Sequence, residues 1–456
     1  MTRPDRSRLP DVGSDPQFRF PRIERHVLAS GLQVRTLEHQ TVPVVTMVLD
    51  VEGGSLADPG GRQGLAAVTA DMLDEGVGEL STIDVSDALA RIGADYSVEV
   101  GPDSTRFALT TLSKFATRGA SLLADILTRP SMRQADFDRV RQLRLDRILQ
   151  LKDSPPAVAE RAFLRLMYGD HPYGHLSIGT ASALAALTLE EVVAFHAATF
   201  QPTRSTLILA GPLSHDALLA VAQGAFSGWA GSSAPAIDPG LPVIPHEPGR
   251  RLAVVSRQGA AQSQLRIGHL SAMRSTPDYR ALLVMNAILG GQFVSRINLK
   301  LREEKGYTYG ARTGFDWRRG ISPFSLETSV HTASTADAIA DCLAEFGGIG
   351  GSRPPSDQEM TMAKASLTRG YPRGFETAEQ VARSVGQLVL YGLPDSYFED
   401  FIPGVNAVRQ ADVVDVAARY VVPARAITLI VGDYEAIESS LRPLGLGDPL
   451  LLSADE

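Results

Sequence analysis

The sequence predicts an α+β protein made of two homologous halves, in which antiparallel sheets are flanked by helices. Strand-like segments rich in β-branched residues alternate with segments of helical periodicity. Short turn signals join neighbouring strands, which favours antiparallel hairpins over a parallel sheet. The stretch FQPTRSTLILAGPLS at 200–214 also matches YVVPARAITLIVGDY at 420–434. Arg204 then aligns with Arg425, an offset of 221 residues, and such a long offset indicates duplication of one domain.

The first half contains a strand, a helix, a hairpin and two further helices, in that order. The predicted elements are a strand over 42–54, a helix over 82–94, a hairpin over 95–113 and helices over 114–128 and 134–154. Thr82 or Asp84 is predicted to cap the first of these helices. The hairpin turns at Gly101-Pro102-Asp103. The last helix is predicted to end before Pro155, because a proline disfavours the helical conformation of the residue before it.

The second half repeats this order. Its predicted elements are a strand over 264–272, a helix over 278–291, strands over 307–317 and 324–332, and a helix over 335–348. Between the halves, residues 228–250 are rich in Pro, Gly and Ser and have little periodicity, so they are predicted to form a linker. We therefore place an N-terminal domain at 1–227 and a C-terminal domain at 251–456.

Composition excludes several classes of protein. The chain has 456 residues, of which 44% are hydrophobic and 21% charged, as in soluble globular proteins. Its net charge of −8 argues against a general nucleic-acid binder, and its one cysteine, Cys342, excludes an internal disulfide framework. The sequence has no run of 18 apolar residues and no apolar core of a secretory signal near its start. We expect a cytoplasmic protein without membrane or nucleic-acid partners, or a periplasmic one if a signal was removed.

The nine histidines do not form a recognised zinc motif. In a zinc-peptidase helix the histidines of His-x-x-Glu-His lie four residues apart, because that spacing puts both on one helical face. His171 and His175 have that spacing, but Pro172 and Gly174 lie between them in a predicted turn. We interpret them as loop-capping or packing residues and keep a metal site there as an alternative. The sequence also has no Gly-x-Ser-x-Gly or P-loop motif.

The segment AILGGQFVSRINLKLREEKGYTYGARTG, at 287–314, carries the most informative polar pattern of the second half. It places Arg302 and Tyr309 after the paired glycines Gly290 and Gly291. One interpretation is a charged helix end followed by a strand with a packed aromatic residue. The other is a site in which Arg and Tyr bind a carbonyl or an oxyanion, since both donate hydrogen bonds to developing negative charge.

This segment resembles the Arg/Tyr element of the pitrilysin-like (M16) zinc peptidases. In that family a Tyr follows the Arg of Leu-Arg-Glu by seven residues, and Arg302 and Tyr309 have this spacing. Further stretches are similar to landmarks of the same family, in the same order. They are GGSLADPGGRQGLA at 53–66, PSMRQADFDRVRQLRLDRILQLKDSP at 130–155, HPYGHLSIGT at 171–180 and FQPTRSTLILAG at 200–211. The resemblance therefore extends over most of the chain.

The resemblance also implies which residues stand at the zinc positions of the family. The family helix carries His-x-x-Glu-His before a Met, and alignment on GLA and Met72 sets the register. It puts Ala67 and Asp71 at the two histidines and Ala70 at the glutamate, while the third ligand, a Glu, falls at Arg147. Ala supplies no ligand and Arg repels a cation, so we expect no metal in this chain. We expect Asp71 to pair with Arg147 instead, directly or through water, because an unpaired half-buried charge is costly. The alternative is that both side chains point to solvent.

In this family a zinc half and an Arg/Tyr half face each other across a closed chamber, and some members divide the two between chains. The resemblance implies the non-zinc subunit of a heterodimeric zinc endopeptidase, one half of a clam shell. Its partner would be an M16 chain with an intact His-x-x-Glu-His motif, and that partner would hold the zinc. Arg302 and Tyr309 would bind peptide substrates and stabilise the oxyanion, and Gly290 and Gly291 would also contact substrate. Peptides would add as a strand near VTMVLDVEGGS, at 45–55.

Two other interpretations stay open. The first is a non-enzymatic peptide-binding or scaffold homologue of the M16 family, in which Arg302 and Tyr309 are remnants. The second is an independent peptidase that uses another metal site, at His171 and His175. A zinc-bearing chain of similar length encoded nearby would favour the heterodimer over both.

Overall fold

Two six-stranded sheets form the centre of the protein. The computed structural model describes residues 13, 18–231 and 251–453, so most of the predicted linker, 232–250, lies outside the described residues. The strands of the first half are β1 (Glu24–Val27), β2 (Gln33–Glu38), β3 (Val44–Glu52), β4 (Gly76–Val77), β5 (Leu80–Ser81), β6 (Asp95–Val100), β7 (Ser104–Leu112) and β8 (Ser205–Gly211). Those of the second half are β9 (Leu252–Ser256), β10 (Gln262–Met273), β11 (Ala311–Phe315), β12 (Ile321–His331), β13 (Ile427–Gly432) and β14 (Leu450–Leu452).

The two sheets have equivalent strand orders. The first is β1-β2-β8-β3-β7-β6, and the second is β14-β9-β13-β10-β12-β11. The strands of the two matching sequence stretches, β8 and β13, both occupy the third position. Each is parallel to one neighbour, β2 or β9, and antiparallel to the other, β3 or β10. The predicted α+β class with two homologous halves is therefore confirmed.

Helices cover both sheets, and the predicted helices all lie among them. The helices of the first half are α1 (Leu65–Met72), α2 (Thr82–Arg91), α3 (Ala116–Thr128), α4 (Gln134–Leu151), α5 (Pro155–Tyr168), α6 (Ala181–Ala186), α7 (Leu189–Thr199) and α8 (His215–Phe226). Those of the second half are α9 (Tyr279–Leu289), α10 (Arg296–Asn298), α11 (Thr335–Ile349), α12 (Asp357–Thr368), α13 (Ala378–Tyr391), α14 (Phe401–Ala407), α15 (Gln410–Tyr420) and α16 (Tyr434–Leu441).

Local hydrogen bonds explain where α2 and α5 begin. The Ser81 hydroxyl accepts a bond from the Asp84 N–H at 3.3 Å, and the Asp84 carboxylate accepts one from the Ser81 N–H at 3.0 Å. The predicted caps are therefore wrong: Ser81 is the cap, Asp84 completes a capping box from inside the helix, and Thr82 donates to the Glu75 carbonyl. Pro155 opens α5, because the first helical turn does not need its missing N–H.

Each half contributes one helix to the sheet of the other half. Helix α5 packs on β9, β10 and β13 of the second sheet, where Val158, Ala162 and Phe163 are buried. Helix α13 packs on β3 and β8 of the first sheet, where Val381 and Val385 are buried. Burial of apolar surface at these two layers contributes about 25 cal/mol per Å². The exchange therefore joins the two halves into one packed unit.

The open edges of the sheets decide where a further strand can add. Strand β3 pairs with β7 on one side and β8 on the other. The prediction of peptide addition at 45–55 is therefore wrong, because both sides of that strand are already hydrogen-bonded. The edge strands are β1 and β6 in the first sheet and β14 and β11 in the second. Within the described residues, none of the helices combines the length and hydrophobicity that a membrane crossing requires.

Candidate functional site

The residues that the resemblance places at the family's zinc site lie beside a cleft of about 530 Å³, which we call the first-half cleft. Two of them, Asp71 and Arg147, line it. Helix α1, helix α4 and the edge strand β6 form its walls. Its ionisable lining residues are Asp71, Asp74, Glu75, Tyr96, Arg144 and Arg147. The acids come from the end of α1 and the residues that follow it, and the arginines come from α4. The cleft therefore contains both negatively and positively charged side chains, and this is its main chemical feature.

A buried carboxylate holds the start of α1. Gly64, the N-cap of the helix, has a φ of 98° and no side chain that could cap it. Asp58 takes this role, because it accepts bonds from the N–H groups of Gly64 and Ala66, both at 2.7 Å. The Nε2 atom of His175 lies 2.9 Å from the same carboxylate, whose side chain has no exposed surface. These hydrogen bonds therefore hold the N-terminus of α1 in place.

The residues at the zinc positions do not fit a zinc ion. Ala67 and Ala70 are buried, and a methyl group offers no ligand atom. Asp71 is the remaining acid of the α1 motif, and two arginines of α4 share its cleft. Within residues 18–231 and 251–453, no group of three His, Cys, Asp or Glu is placed to hold a metal.

Asp71 is paired, but not with the predicted residue. The Nε atom of Arg144 lies 2.8 Å from Oδ2 of Asp71. Arg147 instead donates to Oε1 of Gln150 at 3.3 Å. The predicted Asp71–Arg147 pair is therefore wrong by about one turn of α4, because residues three apart lie on the same helical face. Arg147 still lines the cleft and leaves its guanidinium exposed.

Asp74 is the acid of this cleft that the fold disfavours most in its charged form. The pKa of Asp74 is raised to about 6, chiefly by burial and in smaller part by the neighbouring carboxylates of Glu75 and Asp71. Its own backbone N–H and the charge of Arg139 oppose the shift. Burial also raises the pKa of Tyr96 well above its usual value, so its phenol stays neutral. The enclosed Tyr96 hydroxyl has no hydrogen-bond partner among the described residues.

Replacing Asp74 by asparagine is expected to change the pH dependence of stability. Because its pKa is raised, the folded chain binds this proton more tightly than the unfolded chain does. The resulting stabilisation is present below about pH 4 and is lost as the pH rises through about 6. Asp74→Asn should therefore increase the free energy of unfolding more at pH 7.5 than at pH 4.5, by about 1–2 kcal/mol.

Urea unfolding followed by the fluorescence of Trp229 and Trp317 measures this difference. The matched control is Glu79→Gln, which removes an exposed acid close to the cleft in sequence and should act equally at both pH values. If Asp74→Asn changes stability by the same amount at both pH values, the raised pKa is refuted.

The edge strand β11 borders a second cleft of about 560 Å³, which we call the second-half cleft. Gly290, Gly291 and Tyr309 all line it, so the structure brings these three predicted residues together. Tyr309 is 94% exposed, and its hydroxyl is open to a ligand. Arg302 contacts the cleft through Phe293, a lining residue whose ring centroid lies 4.1 Å from the guanidinium carbon.

Arg302 lies in a segment of unusual helical geometry. After α10 the chain forms a π-helical segment over Leu299–Glu304. The Lys305 N–H donates to the Lys300 carbonyl at 3.1 Å, and the Tyr307 N–H donates to the Leu301 carbonyl at 2.8 Å. Segments of this kind are rare and occur frequently at functional sites.

Packing within the chain explains both glycines. A Cβ atom at Gly290 would lie 2.5–3.0 Å from side-chain atoms of Thr313 in β11. A Cβ atom at Gly291 would lie 2.5 Å from the side-chain nitrogen Nδ2 of Asn286 in α9. A larger residue would therefore push α9 away from β11. The absence of side chains is accounted for without a ligand, and substrate contact at these glycines stays a prediction.

The two spaced histidines bind different parts of the chain. The Nδ1 atom of His171 accepts a bond from the Tyr173 N–H at 2.9 Å, which caps a short turn. His175 contacts the Asp58 carboxylate instead. Burial lowers the pKa of His171, which agrees with a neutral, packed ring. The structure therefore supports the capping interpretation and gives the metal alternative no ligand set.

Two protein-family models match most of the chain. Residues 34–181 match the model described as insulinase (peptidase family M16), and residues 186–367 match the model described as the peptidase M16 inactive domain. The chain belongs to the M16 family. The first match contains α1, α4 and β6 of the first-half cleft, and the second contains the Arg302 and Tyr309 segment.

The M16 relatives include zinc proteases and a non-peptidase homologue. An uncharacterised zinc protease of Mycobacterium leprae is 24% identical over 372 residues, which are 81% of this chain and 82% of the relative. A counterpart from Streptomyces coelicolor is 22% identical over 92% of this chain and 91% of the relative. A non-peptidase homologue of Helicobacter pylori is 21% identical over 84% and 91%, respectively.

Solved M16 structures share the fold. A peptidase M16 inactive domain from Pseudomonas fluorescens superimposes with a TM-score of 0.80 at 25% identity, over 90% of this chain and 98% of that chain. A protease from Helicobacter pylori gives a TM-score of 0.82 at 18% identity, over 91% and 100%. This chain is therefore an M16 homologue that lacks the His-x-x-Glu-His motif.

Sequence reasoning missed three residues of the two clefts and their frame. Arg144 was missed because alignment to a distant motif cannot distinguish adjacent turns of α4. Asp58 was missed because it caps a helix six residues away, although GSLADPGG with its glycines signals a tight turn. Phe293 carried no signal of its own, since an isolated aromatic residue in a loop is usually packed.

Proposed function

We propose that this chain is the non-zinc subunit of a heterodimeric M16 zinc endopeptidase. The contrast between its two clefts carries the proposal. At the zinc positions, Ala67 and Ala70 are buried and Asp71 is paired with Arg144. In the other half, Tyr309 stands exposed on an open cleft, at the family spacing from Arg302. This contrast supports a divided active site, in which another chain supplies the zinc and this chain supplies Arg302 and Tyr309.

Each retained residue has a defined task in this proposal. The zinc ion and the general base belong to the partner, an M16 chain with an intact His-x-x-Glu-His motif. In this chain, the Tyr309 hydroxyl and the Arg302 guanidinium donate hydrogen bonds to the backbone carbonyl of a bound peptide. These bonds strengthen when the carbonyl oxygen acquires negative charge, which lowers the barrier. Substrates are peptides or unfolded segments, because recognition is through the backbone.

A mixing assay tests the proposal. This chain and its zinc-bearing partner are purified separately and assayed with an internally quenched peptide, alone and together. Neither alone should cleave efficiently, and activity should rise on mixing until the chains are equimolar. This chain alone should contain no stoichiometric zinc. One zinc per chain, or efficient cleavage by either chain alone, would overturn the proposal.

The second candidate function is a non-enzymatic peptide-binding or scaffold homologue. One observation favours it: a Helicobacter pylori relative is described as a non-peptidase homologue. In that case this chain should bind peptides, or the partner, without changing the cleavage rate. The same mixing assay therefore distinguishes the two functions.

A further inference from the structure

Two arginines of the Arg/Tyr segment differ in how they use their hydrogen-bond donors. Arg296 donates to both oxygens of the Glu359 carboxylate, at 2.6 and 2.8 Å. It also donates to the carbonyls of Arg353 at 2.6 Å and Pro354 at 3.0 Å. These bonds join α10 to the start of α12. Arg296 therefore has a structural role, and each of its three nitrogens donates a hydrogen bond within the chain.

Arg302 has no comparable set of partners. Its Nε atom lies 3.5 Å from Oε1 of the adjacent Glu303, a weak contact for an ion pair. Its Nη1 atom is enclosed by protein and has no hydrogen-bond partner among the described residues. The Phe293 ring covers the guanidinium, whose central carbon lies 4.1 Å from the ring centroid. The ring is thus the best-defined contact of this side chain.

The backbone of Phe293 is fixed, although its ring is 65% exposed. The Phe293 carbonyl accepts a bond from Nδ2 of Asn298 at 2.6 Å. Oδ1 of the same Asn298 accepts a bond from the Ala311 N–H at 3.0 Å, so the loop is tied to β11. The Ser295 hydroxyl closes the loop on the Gln292 carbonyl at 2.5 Å. The ring therefore lies over Arg302 because the loop holds it there, not because the core requires it.

An aromatic ring attracts a guanidinium that lies over it, so the Phe293 ring favours one placement of the otherwise flexible Arg302 side chain. The contact leaves the Nη1 donor without a hydrogen-bond partner among the described residues. The Nη1 donor is therefore unused in the chain alone, and a peptide oxygen that reaches it would supply the missing acceptor.

We propose that Phe293 is a positioning residue for Arg302. Its ring, which lines the second-half cleft together with Tyr309, holds the guanidinium beside that cleft, with the Nη1 donor unused until a peptide oxygen accepts its hydrogen bond. The catalytic part of this proposal rests on the proposed function, in which Arg302 acts on a substrate in the assembled peptidase. The positioning itself is a property of this chain alone, so it is tested in two independent ways.

The first test measures the reactivity of Arg302 with phenylglyoxal in the purified full-length chain. Modification is followed by mass spectrometry in wild type, Phe293→Leu and Phe293→Trp. Loss of the ring in Phe293→Leu should speed Arg302 modification about two- to five-fold, and Phe293→Trp should restore the wild-type rate or lower it. Arg312, an exposed residue of the same cleft, is the internal reference and should react equally in all three chains. Equal Arg302 reactivity in all three would overturn the proposal.

The second test uses steady-state kinetics with the zinc-bearing partner. Phe293→Leu should lower kcat about two- to five-fold with KM nearly unchanged, and Phe293→Trp should restore kcat. The thermal midpoint should not change, since the ring is largely exposed. If Arg302→Ala lowers kcat but Phe293→Leu does not, the positioning proposal fails alone. If Arg302→Ala has no effect, the proposed function fails, whatever the labelling of the Phe293 variants shows.

Discussion

Replacing Arg302 by alanine is expected to lower kcat/KM of the assembled peptidase about 10²–10³-fold. The reason is that a preorganised donor to the oxyanion is worth most in the transition state, where the carbonyl oxygen carries negative charge. Folding should be little affected, because Arg302 makes only a weak contact with Glu303 and a surface contact with Phe293. The measurement is cleavage of a quenched peptide at saturating partner concentration, with circular dichroism as the test of folding.

Two variants control this experiment. Lys305→Ala removes one exposed positive charge from the same segment and should change kcat/KM less than about three-fold, since surface charges contribute little. Tyr309→Phe removes only a hydroxyl from a 94% exposed ring and should reproduce most of the loss without a change in stability. If Arg302→Ala behaves like Lys305→Ala, Arg302 is not an oxyanion donor and the scaffold interpretation gains support.

Replacing Asp58 by alanine is expected to reduce the free energy of unfolding by about 3–5 kcal/mol. The substitution leaves the N–H groups of Gly64 and Ala66 without an acceptor and deprives His175 of its partner, all at a buried site. Gly64 has no side chain to replace the lost cap, so the start of α1 loses its main support. Urea unfolding followed by tryptophan fluorescence measures the loss.

Two comparisons make the Asp58 result specific. Asp58→Asn keeps one acceptor oxygen and should cost roughly half as much as alanine. Asp125→Ala breaks an exposed pair with Arg129 and should cost less than about 0.5 kcal/mol. A loss for Asp58→Ala as small as that for Asp125→Ala would show that the helix start does not depend on this carboxylate.

Periodicity predicted most of the regular structure, because local patterns carry the relevant information. The strand over 42–54 contains β3, the hairpin over 95–113 contains β6 and β7, and the helix over 134–154 contains α4. The duplication was visible because β8 and β13 are buried strands whose sequences must stay apolar. The cap of α2 was misplaced by one residue for Thr82 and by three for Asp84, because Ser, Thr and Asp all favour helix starts and Ser81 and Asp84 bond to each other.

Prediction from the sequence pattern failed where the result depended on which strands pair with each other. The strand at 45–55 was predicted to be an edge, but two other strands pair with it, one of them from about 160 residues further along the chain. Pairing between strands so distant in sequence leaves no local mark. The exchange of α5 and α13 between the halves has the same origin, since an amphipathic helix does not specify which sheet it covers.

For the function, the sequence by itself determined which residue types are present and which are missing. It established the spacing of Arg302 and Tyr309, and the absence of a His-x-x-Glu-His motif with Ala67 and Ala70 in its place. Chemical identity is fixed by covalent structure, so these statements needed no coordinates. They already separate this chain from M16 members with an intact His-x-x-Glu-His motif.

Only the tertiary structure decided how the side chains use their bonding capacity. It showed that Asp71 pairs with Arg144 and that Phe293 covers Arg302. It also showed that packing against Thr313 explains Gly290. These contacts join residues that are far apart in sequence or lie on loops, and a shift of one helical turn or one rotamer changes the partner. Packing distances of a few ångströms decide them, and the order of residues alone does not encode such distances.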